Sequence, residues 1–128
     1  MSNAGSDPKR AVVVGSSFAG LTAAFELRKR LDASTEVVVI EPRDKFTFIP
    51  SLIWVPFGMR EPDDVTFDLE PVYTKKGIRF INEAAKGFDL EAQTVTTTGG
   101  QEVSYDSLLL ATGPRLAFEK IDGLGPHG

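Results

Sequence analysis

The sequence predicts an α/β domain organised around a parallel sheet, and three observations predict it. Ala11-Val12-Val13-Val14 and Val37-Val38-Val39-Ile40 are short, unbroken apolar runs, as in parallel strands covered on both faces. Between them lie a small-residue turn, Gly15 to Gly20, and a segment of helical period, Leu21 to Leu31. The second run ends in an acid, Glu41, 21 residues after Gly20. Strand, glycine turn, helix, strand and acid in that order make a βαβ unit suited to a dinucleotide.

Composition bounds the rest. A chain of 128 residues, 41% apolar and 25% charged, fits one folded globular domain. The net charge of −4 carries no block of like sign, and the longest basic run, Arg28-Lys29-Arg30, falls at a helix end where it complements the dipole. No basic face for nucleic acid is expected. No apolar run approaches the roughly 18 residues of a membrane span, and no signal peptide is visible. Without cysteine, disulfides and thiol chemistry are excluded within these residues, and no metal site is expected. The single histidine, His127, is expected in a disordered tail rather than in a catalytic role. Residues 1–8 read as a tag remnant or a frayed terminus.

Taken in order, the helix after Gly20 places Phe18, Leu21 and Phe25 on one stripe, with Ala24, Leu27 and Leu31 beside it. Small Ala19, Gly20, Ala23 and Ala24 let its start lie close to the first strand. The stretch Pro42 to Gly58 is aromatic, holds three prolines and fits no regular element along its whole length. It is either a ligand loop beyond a strand's carboxyl end or a satellite core burying Phe46, Phe48 and Trp54. Val65-Thr66-Phe67 suits a short extended piece. A short helix is expected from Asp68 or Leu69 to Lys76, ended by Gly77. Ile78 to Ile81 reads as a third strand.

Then the period changes to two. Ala84–Leu90, Thr94–Thr98 and Glu102–Tyr105 are expected to form an antiparallel meander, with Gly99-Gly100 as a hairpin turn. Leu108-Leu109-Leu110 is expected as another buried strand, leaving through Ala111-Thr112-Gly113-Pro114. Residues 115–128 are rich in Pro and Gly and are expected to be irregular.

The turn supplies the chemistry. Backbone N–H groups and the dipole at a helix start favour phosphate. Gly15 gives the tight turn, and Ala19 and Gly20 allow close packing. Ser17 stands where the G-x-G-x-x-G pattern has its second glycine; its hydroxyl could cap the helix or meet a phosphate oxygen, and its Cβ could crowd the ligand. A carboxylate at Glu41 can accept both ribose hydroxyls of an adenosine and would repel a 2′-phosphate.

This order resembles the FAD domain of the pyridine nucleotide–disulfide oxidoreductase group. Within it the chain is similar to the branch of sulfide:quinone oxidoreductases and flavocytochrome c sulfide dehydrogenases. The residues that carry the resemblance are Phe46-Thr47-Phe48-Ile49-Pro50-Ser51-Leu52-Ile53-Trp54, Lys76 to Ile81, and Tyr105 to Phe118 with its LLLATGPRLAF stretch. It covers about residues 9 to 127.

The resemblance implies a Rossmann-like FAD/NAD(P)-binding fold with an inserted meander, its FAD-binding portion spanning 9–114 and a tail, 115–128, leading to a missing region. It implies FAD as cofactor. Gly15, Ser16, Ser17, Phe18, Ala19 and Gly20 would face or support the pyrophosphate, and Glu41 and Pro42 would hold the adenosine ribose. Ala84 and Ala85 would meet the adenine through backbone groups. Thr112 and Gly113 would approach the pyrophosphate and ribityl chain, and Pro50 the isoalloxazine. The parent would move electrons from sulfide to a quinone, in the cytoplasm or at the membrane periphery. The family's redox cysteines, second dinucleotide domain, closing segment and membrane-docking elements are not in this sequence. The chain is therefore expected to be an N-terminal fragment, without a catalytic residue, inactive alone and prone to self-association. The alternatives are a type II NADH dehydrogenase-like or ferredoxin-reductase-like flavoprotein, and a non-enzymatic dinucleotide-binding module.

Overall fold

The structure is a computed structural model that describes residues 9–125. In chain order the elements are β1 (Arg10–Val14), α1 (Phe18–Arg30), β2 (Glu36–Ile40), β3 (Lys45–Thr47), 3-10 helices over Ile49–Trp54 and Pro62–Val65, β4 (Thr66–Asp68), α2 (Leu69–Lys75), β5 (Arg79–Ile81), β6 (Ala85–Asp89), β7 (Thr94–Thr97), β8 (Glu102–Ser104), β9 (Ser107–Leu110) and a last 3-10 turn over Phe118–Lys120. The main sheet is parallel, in the order β5-β2-β1-β9. His127 and residues 1–8 lie outside the described residues.

The apolar runs do not alternate because both faces of the sheet are covered. Val13, Val37 and Val39 face Ala24 of α1 and Leu69 and Tyr73 of α2, together with Phe46 and Ile78. Val12, Val14, Val38 and Ile40 face Ile81, Val95 and Val103, on the side of the β6-β7-β8 meander. Val13, Val37, Val38 and Val39 are wholly excluded from solvent. Full burial of such a side chain stabilises by roughly 1.5–3 kcal/mol, so these four anchor the domain.

Helix α1 begins at Phe18, so the last three residues of the turn, Phe18, Ala19 and Gly20, already take helical geometry. Its packed face centres on buried Gly20 and Ala24. Leu21, Phe25, Leu27 and Leu31 are only partly buried against it. Arg28 closes the helix end by donating to the carbonyls of Leu31 (3.2 Å) and Thr35 (2.6 Å), so this part of the basic run serves the fold. After α2, Gly77 takes φ +68°, the left-handed residue that stops the helix. The meander is as expected, with Gly100 at φ +85° in its hairpin and a bulge between Ala85 and Gly87.

Two expectations need correction. The first is the satellite core in the aromatic stretch, which no single element spans, as expected: β3 pairs with β4, and Pro50 sits in the following 3-10 helix. Of its aromatic residues only Phe46 is buried, stacked on Phe67 at 4.9 Å, whereas Phe48 and Trp54 are each almost half exposed. A satellite core around all three does not form, since only Phe46 lies on the paired strand β3. The second concerns β9, which is not a buried strand. Among the described residues it is the sheet's edge: Leu109 is 41% and Leu110 57% exposed, with β1 alone flanking them.

Candidate functional site

The carboxyl ends of β1, β2 and β9 open on one cleft of about 380 Å³, within the size range of small-ligand sites. Gly15, Glu41, Arg43, Ala85, Phe88 and Thr112 are among the residues that line it.

Gly15 is fixed from two sides. Its N–H donates to the Ile40 carbonyl at 2.9 Å, continuing the β1–β2 ladder. A Cβ at Gly15 would stand 2.2 Å from the Ala111 carbonyl oxygen, and its φ is +100°. Only glycine fits there. Gly20 is as constrained, because a Cβ would lie 1.9 Å from the Gly15 carbonyl oxygen. The two glycines let the turn pass between strand β9 and helix α1. The first N–H groups of α1, on Phe18, Ala19 and Gly20, have no acceptor within the helix. They make the anion-favouring end of the turn.

The turn is tied to Glu41 through Ser16. The Ser16 N–H donates to Glu41 Oε2 at 2.8 Å, and its hydroxyl shares a 2.5 Å hydrogen bond with the Tyr73 hydroxyl. Ser16 and Tyr73 are both buried. Arg43 completes the shell of Glu41. Its backbone N–H (3.0 Å) and Nε (2.8 Å) donate to Oε1, and its Nη2 donates to Oε2 at 3.2 Å. The main chain of Glu41 is held as well, by the Ile81 carbonyl at 3.1 Å and by Asn82 Nδ2, which donates to its carbonyl at 3.0 Å.

These contacts decide the ionisation of Glu41. Burial pushes the carboxyl up, but the Arg43 guanidinium and the N–H groups of Arg43 and Ser16 together hold it below the usual carboxylate range. Glu41 in turn raises the Arg43 guanidinium. Burial raises the Tyr73 phenol, against the Ser16 hydrogen bond. The site therefore presents a fixed carboxylate paired with a partly exposed guanidinium.

The residues singled out in the sequence divide into three groups. Gly15, Glu41, Pro42, Ala84, Ala85 and Thr112 line the cleft, with Pro114 just beyond Gly113, whose φ is +72°. Ser16 and Gly20 are buried supports, and Ser17 caps α1 with no hydrogen bond from its side chain, so the capping role is not taken up. Phe18 and Ala19 are exposed, Phe18 standing edge-on to Phe46 (5.3 Å) and Phe48 (5.6 Å). Pro50 is exposed and is not brought to the cleft. The backbone of Ala84 is already engaged: its N–H meets Thr98 Oγ1 at 3.3 Å and its carbonyl accepts the Thr98 N–H at 2.9 Å. Sequence reasoning missed Arg43 and Tyr73. An arginine two residues past a strand-end acid was a signal for the first. Tyr73 looked like one more core position of a short helix.

Residues 9–128 match the pyridine nucleotide-disulphide oxidoreductase family, and the chain belongs to it. More particularly, it is 38% identical over 110 residues to the sulfide-quinone reductase of Aquifex aeolicus (strain VF5), a match covering 86% of this chain and 25% of that protein. The X-ray structure of the sulfide:quinone oxidoreductase from Aquifex aeolicus superposes with a TM-score of 0.81 at 37% identity, over 86% of this chain and 25% of the other. The type II NADH:quinone oxidoreductase of Staphylococcus haemolyticus (strain JCSC1435) is 27% identical over 121 residues, covering 92% of this chain and 29% of its own. The chain spans about a quarter of the length of the sulfide:quinone relatives it matches. Among the described residues no helix is long and apolar enough to cross a membrane.

Proposed function

We propose that residues 9–114 form the adenosine- and pyrophosphate-binding part of an FAD site, in a parent oxidoreductase that passes electrons from sulfide to a quinone. One observation carries this reading. Gly15, Glu41 and Thr112, at or just beyond the carboxyl ends of three neighbouring parallel strands, line a single cleft. In open α/β sheets that is where dinucleotides bind. The N–H groups at the start of α1 would take the pyrophosphate, Glu41 the ribose hydroxyls, and the meander side at Ala84 and Ala85 the adenine. The flavin would supply the two-electron chemistry. The described residues bind and orient it, and no catalytic role is proposed for them.

Quinone and membrane contact, and a place in the cytoplasm or at the membrane periphery, belong to the parent as a whole. The test is a titration of the protein with FAD and with ADP-ribose. The expected result is binding of both, each displacing the other. Failure to bind either refutes the reading and favours a module that binds no dinucleotide. Similarity to the Staphylococcus haemolyticus protein supports a second reading, a parent reduced by NADH. Reduction of the parent's flavin by sulfide but not by NADH separates the two.

A further inference from the structure

All the acceptor positions of the Glu41 carboxylate are filled within the chain. Oε1 takes the Arg43 N–H and Nε, and Oε2 takes the Ser16 N–H and Arg43 Nη2. A carboxylate offers about four such positions, so a ribose diol cannot bond to Glu41 while Arg43 stays in place. Resting on the reading of Glu41 as the ribose group, we propose that Arg43 competes with the ligand for the Glu41 carboxylate. Its guanidinium occupies Glu41 in the free protein, and the unmodified ribose diol of an adenosine ligand displaces it.

The surroundings decide which partner moves. The Glu41 side chain is 4% exposed and that of Arg43 59% exposed. Glu41 is anchored through its own backbone and through Ser16, whose hydroxyl is locked to Tyr73 in the core. Among the described residues the side-chain bonds of Arg43 go to Glu41 alone, and water can replace them. A diol brings two donors to the two oxygens the guanidinium leaves. A 2′-phosphate brings no donor there and would face the buried carboxylate at close range. The diol can therefore replace the guanidinium on Glu41, and a 2′-phosphate cannot.

The experiment is calorimetric titration of wild type and Arg43→Gln with ADP-ribose and with its 2′-phosphate. It is run at about pH 8, well above the carboxylate range, so that Glu41 is ionised in both proteins. The Nε–H resonance of Arg43 is followed in wild type through the same titration. Removing a partly exposed ion pair that competes with the ligand should tighten ADP-ribose binding by about two- to five-fold. Saturation should release the Arg43 Nε–H from protection, and the 2′-phosphate should bind detectably more weakly than ADP-ribose to wild type. Unchanged or weaker binding by Arg43→Gln overturns the proposal, because it makes Arg43 a bystander or a ligand contact. So does an Nε–H that stays protected at saturation, a readout that needs no variant. Equal binding of the two probes by wild type overturns the reading of Glu41 as the ribose group, on which the proposal rests. A wild type that binds neither probe overturns the dinucleotide reading itself, and the proposal with it.

Discussion

Tyr73→Phe removes a single hydroxyl and leaves the ring where it packs, edge-on to Phe25 at 5.9 Å and stacked on Phe80 at 5.5 Å. What is lost is the 2.5 Å hydrogen bond to the Ser16 hydroxyl, in a place where both residues are buried. A hydrogen bond contributes about 1 kcal/mol net, but a buried group left without its partner costs about 1–3 kcal/mol. Tyr73→Phe should therefore destabilise by about 2 kcal/mol, and Ser16→Ala, which orphans the phenol instead, by a similar amount. The double variant orphans neither group and should be no less stable than either single one. The coupling energy is then about 2 kcal/mol, far above the ~0.5 kcal/mol within which independent sites add. Urea unfolding of the four proteins, followed by far-ultraviolet circular dichroism, measures it, provided the slopes agree. Additive single effects would show that the bond does not hold the turn to α2, and the account of how Glu41 is anchored would fail.

Gly20→Ala should destabilise although alanine is the better helix former by about 1 kcal/mol. Its Cβ would meet the Gly15 carbonyl oxygen at 1.9 Å, a backbone atom that cannot step aside, and overpacking of this kind costs about 3 kcal/mol. The net loss of ~2 kcal/mol is read from urea unfolding, and a stabilised variant would refute it. Glu41 gives a pH dependence. Its carboxyl lies below the ordinary value of 4.5 in the folded chain, so its contribution is complete above that value and is lost as pH falls through the folded one. The stability advantage of wild type over Arg43→Gln should accordingly shrink as pH drops below about 4.5, and a gap that is constant with pH would contradict this. The exposed edge of β9 predicts self-association, which Leu110→Lys should reduce in sedimentation experiments with little change in stability. A wild type that is monomeric across a concentration series would refute it.

The parts of the fold legible in the sequence are those where one local pattern suffices. β1 and β2 announced themselves as unbroken apolar runs because both faces of each are covered, by helices on one side and the meander on the other. The meander was readable from its period of two and from Gly99-Gly100. β9 has the same kind of apolar run as β1, yet Leu109 and Leu110 are exposed. Apolar composition reports what a segment could bury, not whether a neighbour is there to bury it. In the site, Gly15 and Glu41 were legible because each sits at a set spacing from a strand end. Tyr73 was not, because its partner Ser16 is 57 residues away in sequence, whereas Arg43, two residues past Glu41, carried a local signal that was not read. Phe46, Phe48 and Trp54 share a composition but not a fate, since only Phe46 lies on the paired strand β3.

Ser17 shows how the demands of the fold and of the ligand separate within one turn. Gly15 and Gly20 are required by the chain itself, since a Cβ on either would strike backbone. Ser17 has φ −88° in the extended region, which any residue adopts, and its side chain makes no bond to the helix it caps. Nothing in the fold asks for glycine there. The glycine that the G-x-G-x-x-G pattern places at this position can serve only the approach of a ligand. Ser17→Gly should then leave stability within about 0.5 kcal/mol of wild type, since even a working serine cap exceeds glycine by only a few tenths. The same change should tighten ADP-ribose binding by removing the Cβ from the path of the pyrophosphate. Stability and affinity measured on one variant distinguish the two demands. Loss of stability would make Ser17 part of the fold, and weaker binding would mean that its hydroxyl bonds the ligand.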